Sequence, residues 1–103
     1  MPTYVLMTRL SPEALHDAKG RRAVGKTWME KVRHACPEVK WLAHYAILGP
    51  YDFMDIYEAP DEEAAHKVSL ISRAEGAVTA ESWGAMPYDR YLSVLERIEM
   101  QRA

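Results

Sequence analysis

The order of β-like and helical segments predicts an α+β fold, with a four-stranded antiparallel sheet whose crossover helices lie on one face. Three observations support this class. The chain has 103 residues, the length of one domain. Four segments are rich in β-forming residues, and two segments between them repeat apolar residues at helical spacing. The resulting strand-helix-strand-strand-helix-strand order is that of ferredoxin-like domains, so we expect residues 1–103 to form one such domain with an extra C-terminal helix.

The first strand passes into the first helix at a recognisable start signal. Residues 4–10 form a β-rich run that leads to Ser11, a good helix cap, and to Pro12, which suits the first helical position. Glu13 follows, where the helix dipole favours a negative charge. We expect Gly20 to kink or interrupt the helix and Cys36-Pro37 to end it. Apolar residues recur at helical spacing up to that end: Val24, Trp28, Val32 and Ala35.

A Gly-Pro turn separates the second strand from the third. The second strand covers residues 39–48, Gly49-Pro50 forms the turn, and the third strand follows directly. Alternation places two sets of side chains on opposite sides of the third strand. One set is Tyr51, Phe53, Asp55 and Tyr57, and the other is Asp52, Met54, Ile56 and Glu58.

The remaining elements follow in the same way. Residues 59–63 (APDEE) begin a second helix, Gly76 suits the position after its end, and the fourth strand covers residues 78–84. The inner stripe of the second helix is Ala64, Val68 and Ile71. A third helix begins at Pro87, with one apolar stripe made of Tyr88, Tyr91, Leu92, Leu95 and Ile98.

Composition narrows the functional classes. The formal net charge is −2, so no global field draws in nucleic acid or an anionic membrane. The single cysteine, Cys36, excludes an internal disulfide and a paired-cysteine redox or zinc motif. Residues 1–9 show no basic segment followed by a long apolar run, and no run of about 18 apolar residues occurs, so we expect neither secretion nor a membrane span. We expect a cytoplasmic protein that does not enter the membrane.

Three segments resemble the GYD family, small ferredoxin-like proteins related in fold to the dimeric α/β-barrel group. They are residues 2–13 (PTYVLMTRLSPE), 48–53 (LGPYDF) and 58–65 (EAPDEEAA). The resemblance spans most of residues 2–66. It implies the fold and self-association through the sheet, and it carries no established reaction. Fold relatives include cofactor-independent monooxygenases and ligand-binding stress proteins, which is an analogy at the level of fold.

Pairing of the second and third strands brings His44 close to Asp55. A two-residue turn at 49–50 places the two residues directly opposite each other, and a turn at 50–51 makes them diagonal neighbours. A three-residue turn would separate them. A carboxylate beside an imidazole fixes its tautomer and raises its basicity, which suits a general base or an oriented hydrogen-bond donor, and equally suits a structural or interface hydrogen bond.

Both two-residue turns divide the side chains of the hairpin between two faces in the same way. His44 shares one face with Phe53, Asp55 and Tyr57. The other set is more apolar, so we expect it to face the helices: Trp41, Ala43, Tyr45, Ile47, Met54 and Ile56. This assignment places His44, Asp55 and Tyr57 on the open face of the sheet.

Other residues are weaker candidates for chemistry. Glu81 and Trp83 share a face of the fourth strand, and their side relative to His44 is not set by the sequence. The four histidines (His16, His34, His44 and His66) lie on four elements without metal-binding spacing, so we expect no metal. Cys36 has basic neighbours in sequence, but a buried core thiol is the simpler interpretation. No nucleotide-binding glycine motif or serine elbow occurs, so we expect no cofactor.

RNA-recognition domains share this element order, and Tyr51, Phe53 and Tyr57 imitate their aromatic motif. Asp52 and Asp55 lie inside that motif and would repel a phosphate backbone. The first helix is basic, but it lies on the other side of the sheet, and such a charge run is usually a solvated face. We therefore expect no nucleic-acid binding.

Together these features favour a homo-oligomeric module that binds a small aromatic or carbonyl ligand at His44, Asp55, Tyr57, Trp83 and Glu81. A pocket on the open face, closed by a second copy, would hold this ligand. One alternative is a cofactor-independent monooxygenase or isomerase, in which His44 or Asp55 abstracts a proton. A second alternative is an interaction protein without a ligand.

Overall fold

The computed structural model describes residues 1–13 and 18–102. Its elements are β1 Thr3–Leu10, α1 Ala18–Ala35, β2 Lys40–Ala46, β3 Phe53–Glu58, α2 Glu62–Ala74, β4 Ala77–Ala85 and α3 Tyr88–Arg102. The strands form one four-stranded antiparallel sheet in the order β2-β3-β1-β4. This confirms the predicted ferredoxin-like βαββαβ order with an additional C-terminal helix.

Helix α2 begins and ends where its sequence signals indicate. Asp61 caps its start, because the Asp61 carboxylate accepts a hydrogen bond from the Ala64 amide at 2.9 Å. Glu62 and Glu63 occupy the first turn, where the helix dipole favours negative charge. Gly76 follows the end of the helix with a φ of 112°, a conformation that glycine adopts without strain.

Helix α1 differs from the prediction at its N-terminal end. Ser11, Pro12 and Glu13 form no helix, and residues 14–17, which include His16, lie outside the described residues. From Ala18 the helix is continuous through Gly20, so the predicted interruption is wrong. A glycine inside a helix costs about 1 kcal/mol relative to alanine, which weakens a helix without breaking it. The predicted end before Cys36-Pro37 is confirmed.

The connection between β2 and β3 is longer than a two-residue turn, yet it preserves one of the two predicted registers. The Ile47 amide donates to the Asp52 carbonyl at 2.9 Å, so pairing continues beyond the ends of both strands. The Asp52 side chain also accepts a hydrogen bond from the Leu10 amide at 2.8 Å, which holds the loop against the end of β1. His44 therefore lies directly opposite Asp55.

Helices α1 and α2 cover one face of the sheet. The core lies between these two helices and the sheet. Its fully buried side chains include Leu6 and Tyr57 from the sheet, Val32 from α1, Val68 from α2, and Cys36. On the opposite face of the sheet, no helix packs among residues 1–13 and 18–102. Among the described residues, no helix is both long and apolar enough to cross a membrane.

Candidate functional site

The most distinctive polar group of the covered side is the pair formed by His44 and Asp55. Their side chains meet at 2.7 Å between His44 Nδ1 and Asp55 Oδ1. Asp55 is only 6% exposed, whereas the His44 side chain is nearly half exposed. The predicted contact between the two residues is therefore present.

The face predicted for this pair is wrong. His44 and Asp55 lie beneath α1, where the His44 ring centroid is 6.4 Å from that of Trp28. Tyr57 also belongs to the helix-covered core. The open-face pocket expected around these three residues is therefore absent from the described chain.

Two physical reasons explain the error. Several polar side chains on this face pair with one another, which offsets the cost of burial: His44 pairs with Asp55, and the Tyr57 hydroxyl bonds Ser82 Oγ at 2.7 Å. Among the described residues, Trp41 Nε1 is buried there without a hydrogen-bond partner. In addition, a register shift between Trp41 and Ala43 reverses the face of Trp41. Trp41 then joins the covered side, where its ring lies 5.0 Å from that of Tyr57.

Aromatic rings surround the imidazole. Trp41 stacks on His44 with 5.3 Å between ring centroids and 29° between planes. Trp28 of α1 meets Trp41 edge-on at 5.3 Å, and its Nε1–H donates to Ser72 Oγ of α2 at 2.7 Å. Trp28 thus links both helices to the strand that carries His44. The helical stripe of α1 included Trp28, but nothing in the sequence indicated the shift that places Trp41 beside it.

A cavity of about 260 Å³ lies between α1 and the sheet, next to this aromatic cluster. The cavity exists because the backbone of α1 packs on α2 while staying apart from the strands. His44 and Asp55 form part of the wall, and Arg21, Thr8, Ser72 and Glu75 supply its other polar side chains. The larger part of the wall is apolar: Leu10, Val24, Trp28, Met29, Phe53 and Ala77.

Opposing effects act on the pKa of the Asp55 carboxyl in this pair. Burial raises the pKa of the Asp55 carboxyl, although the hydrogen bond from His44 and its charge act in the opposite direction. When the carboxylate accepts the proton of Nδ1, the other imidazole nitrogen, Nε2, carries the lone pair. The described protein residues supply no partner for Nε2. The arrangement therefore leaves one oriented hydrogen-bond acceptor on a residue of the cavity wall.

Tyr57 stays outside this cavity. It is completely buried, stacks on Tyr4 at 5.4 Å and joins a chain of hydroxyl groups through Ser82 to Ser69 of α2. Burial is the main cause that raises the pKa of Tyr57 to about 12. Its contacts link the sheet to α2 and do not assemble a site with His44.

Glu81 and Trp83 lie on the open side of the sheet, away from the pair. Trp83 Nε1 donates to Glu81 Oε1 at 2.9 Å, and the Tyr51 hydroxyl donates weakly to Glu81 Oε2 at 3.3 Å. The rings of Tyr51 and Trp83 meet edge-on at 5.9 Å. Tyr51 precedes β3 and does not continue its alternation, so the predicted grouping of Tyr51 with Phe53 is wrong. The five predicted site residues thus divide between a cavity wall, the core and the open face.

The remaining candidates do not join the cavity. Cys36 is buried in the core, and burial raises the pKa of its thiol. His34 and His66 lie on α1 and α2, away from the cavity wall. Within residues 1–13 and 18–102, no group of three or more His, Cys, Asp and Glu side chains is arranged to hold a metal ion.

Comparison with known proteins identifies relatives of the same fold. A family model described as the GYD domain matches residues 4–95. A Thermus thermophilus protein described as "Glutamine synthetase and cystathionine beta-lyase binding protein" is 28% identical over 88 residues, covering 84% of this chain and 90% of that protein.

Two solved structures are similar in fold. TTHA0845 from Thermus thermophilus superposes with a TM-score of 0.58 at 24% identity, covering 84% of this chain and 95% of that one. FFRP-DM1 superposes with a TM-score of 0.53 at 22% identity, covering 84% and 100%. At these identities the structures show a shared fold alone.

Proposed function

Because the chain belongs to the GYD domain family, which provides a fold without a reaction, we propose its function from the cavity: a homo-oligomeric small-molecule binding module whose ligand lies beneath α1. The observation that carries the proposal is the His44–Asp55 pair in the wall of an otherwise largely apolar cavity. Ligand sites in proteins commonly combine an apolar lining with a few placed polar groups.

The cavity wall indicates the chemical class of ligand. An engineered cavity of about 150 Å³ in another protein holds benzene, and drug-sized ligands occupy about 300 Å³ or more. The 260 Å³ cavity lies between these sizes and suits a single substituted aromatic ring. Nε2 of neutral His44 accepts a hydrogen bond from a ligand hydroxyl or N–H group. When the imidazole is protonated, Nε2–H donates to a carbonyl oxygen instead.

Binding explains the cavity more simply than catalysis. Ser72 is committed to structure, because its hydroxyl accepts from Trp28 and donates to the Val68 carbonyl at 2.8 Å. The Ser72 hydroxyl is therefore not placed to act as a nucleophile. The His44–Asp55 pair does meet the first geometric requirement of a general base, so turnover of a bound ligand distinguishes the enzyme from the binding module.

A thermal-shift screen of small aromatic and carbonyl compounds tests the proposal. We expect a subset of them to raise the melting temperature of the wild type, and His44→Asn and Asp55→Asn to lose that increase. His34→Asn is the matched control, because His34 is an exposed histidine outside the cavity. No shift with any compound, or an equal shift in His44→Asn and the wild type, would count against a site at His44. If a bound compound reacts and either cavity variant abolishes turnover, the module is an enzyme.

A second candidate function is the binding of metabolic enzymes. It is favoured by the Thermus relative, which is described as binding glutamine synthetase and cystathionine beta-lyase. Biolayer interferometry with these two purified enzymes tests it. We expect saturable binding that persists at physiological salt. Absence of binding to both enzymes at micromolar concentration would leave this candidate without support.

The homo-oligomeric part of the proposal concerns the open side of the sheet. Tyr45 and Trp83 are about half exposed there, on a face that no helix covers. A second copy packing on this face would bury both rings, and burial of a large apolar side chain contributes roughly 1.5–3 kcal/mol. Sedimentation equilibrium checks this part of the proposal. A single 11.8 kDa species at micromolar concentration would contradict it.

A further inference from the structure

Helix α3 has no partner among the described elements. Its 15 residues follow β4, and its backbone stays apart from every other described helix and strand. The described chain extends over 59 Å with a radius of gyration of 16.2 Å, whereas a compact domain of this length has about 13 Å. An isolated helix of about 15 residues is marginal in water. Helix α3 therefore needs a surface to pack against.

One side of α3 is built for such packing. A continuous exposed stripe runs along it: Tyr88, Tyr91, Leu92, Leu95 and Ile98. Tyr88 and Tyr91 stack on each other at 5.8 Å between ring centroids. Glu96 borders the stripe four residues after Leu92, and Glu99 lies at the C-terminal end of the stripe four residues after Leu95, so the stripe has an acidic flank in the C-terminal half of α3.

A groove elsewhere on the molecule matches this helix. It lies between α2 and β4, which is an edge strand, and has a volume of about 840 Å³. Three exposed apolar side chains, Leu70, Trp83 and Met86, contribute to its walls. Small residues from α2 and β4 leave room between them: Ala65, Ser69, Ala80, Ser82 and Gly84.

The length of α3 matches that of α2, and the charges of α3 suit those on the α2 wall of the groove. Helix α3 is about 22 Å long and α2 about 20 Å, from their 15 and 13 residues. The α2 wall presents Arg73 and His66, which suit the acidic flank of α3. Two acidic residues also line the groove. Glu62 lies at the opposite end of α2 from Arg73, and Glu81 lies on β4, where it accepts hydrogen bonds from Trp83 and Tyr51. A helix seated with Glu96 and Glu99 towards Arg73 lies away from Glu62.

We propose that α3 of one copy occupies the α2–β4 groove of a second copy, and that the second copy returns its own α3 to the first. Within one chain, α3 leaves β4 through Met86 and Pro87 and leads away from the groove, which stays open. Each copy thus carries one unfilled groove and one uncovered helix, and a two-fold exchange fills both and closes the assembly. This inference deepens the self-association part of the proposed function and is independent of the cavity beneath α1.

Disulfide trapping between two single-cysteine variants tests the exchange. Leu70→Cys places a thiol on the groove wall, and Leu95→Cys places one on the α3 stripe; native Cys36 is buried in both. We expect the equilibrated mixture to form a covalent dimer of about twice 11.8 kDa under mild oxidation, and each variant alone to form none. Ser93→Cys, on the opposite side of α3, is the matched control and should not react with Leu70→Cys.

The outcomes separate this inference from self-association in general. If Leu95→Cys cross-links to itself, α3 packs against the α3 of the other copy, and the exchange is overturned. An internal disulfide in a monomeric Leu70→Cys/Leu95→Cys double variant would also overturn it. We also expect Leu95→Asp to weaken self-association by sedimentation, with circular dichroism as the folding check. Self-association of wild-type strength in Leu95→Asp, without cross-linking in the mixture, rejects the exchange while self-association through the sheet stands. A wild-type monomer rejects both.

Discussion

For single residues, the His44–Asp55 contact was predictable. In an antiparallel hairpin with an even number of loop residues, the residue numbers alone decide which side chains of the two strands share a face. The surroundings of this pair were not predictable. Met54 and Ile56 were predicted to face the helices because their set of side chains is the more apolar one. The set on the opposite side of the hairpin is buried instead, because hydrogen bonds pair its polar side chains. Whether a polar side chain finds a buried partner depends on side-chain contacts across the fold, which a one-dimensional pattern does not contain.

The buried carboxyl group of Asp55 predicts a specific pH dependence. Its pKa is raised in the folded protein, so between the unfolded value of about 3.9 and the raised folded value the folded state binds more protons. Stability contributed by this group is therefore present at low pH and is lost as pH rises through the folded pKa. Urea denaturation of the wild type and Asp55→Asn measures this contribution. We expect the stability of the wild type relative to Asp55→Asn to decrease as pH rises through that window.

An exposed carboxylate provides the control. Asp89→Asn, at the first turn of α3, should give no comparable trend. A wild-type advantage over Asp55→Asn that stays constant or grows with pH would contradict the environment described for Asp55.

Tyr57 is expected to matter for stability rather than for binding. Tyr57→Phe keeps the stacked ring but removes the hydroxyl that bonds Ser82. Ser82 retains Ser69 as a partner, so we expect a loss of about 1 kcal/mol in the free energy of unfolding and unchanged ligand binding. Tyr45→Phe, at an exposed tyrosine, is the matched control. Equal stability of the two variants would mean that the hydroxyl chain contributes nothing.

At the scale of elements, the sequence signals were most reliable where the cause is local. The start of α2 within residues 59–63 and the glycine after its end were signalled within one turn of the helix ends they define, and both predictions are confirmed. The shift beside Trp41 has no such local signal, because it depends on how β2 meets β3. That one shift separates Trp41 from Ala43 and Tyr45, with which it was predicted to share a face, and places its ring beside His44 on the covered side.

Helix α1, which covers the cavity, should gain stability from Gly25→Ala. No atom lies within 4 Å of a Cβ built at Gly25, so alanine fits without a clash. Removal of a glycine from a helix interior contributes roughly 0.5–1 kcal/mol. Chemical denaturation should show this increase. Gly76→Ala should instead destabilise, because Gly76 has a φ of 112°. Destabilisation by Gly25→Ala would indicate that α1 does not cover the cavity in this conformation.

At the scale of the whole molecule, the two sides of the sheet have different properties. The covered side contains a small cavity with an oriented imidazole, and the open side, the edge of β4 and α3 expose the apolar surface that suits protein contacts. Element order and the GYD resemblance predicted this architecture. They did not predict the cavity, which results from the distance between α1 and the strands and has no counterpart in a sequence pattern.

We propose that a small molecule binds beneath α1. The three tryptophan indoles would report this binding most directly. Trp28 lines the cavity, Trp41 stacks on His44 at its wall, and Trp83 lies on the open side of the sheet. We would titrate ¹⁵N-labelled protein with a compound that raises its melting temperature and follow the indole N–H resonances by NMR. The cavity account predicts that the Trp28 and Trp41 signals shift saturably while that of Trp83 does not. A saturable shift of Trp83 alone, with Trp28 and Trp41 unchanged, would contradict it.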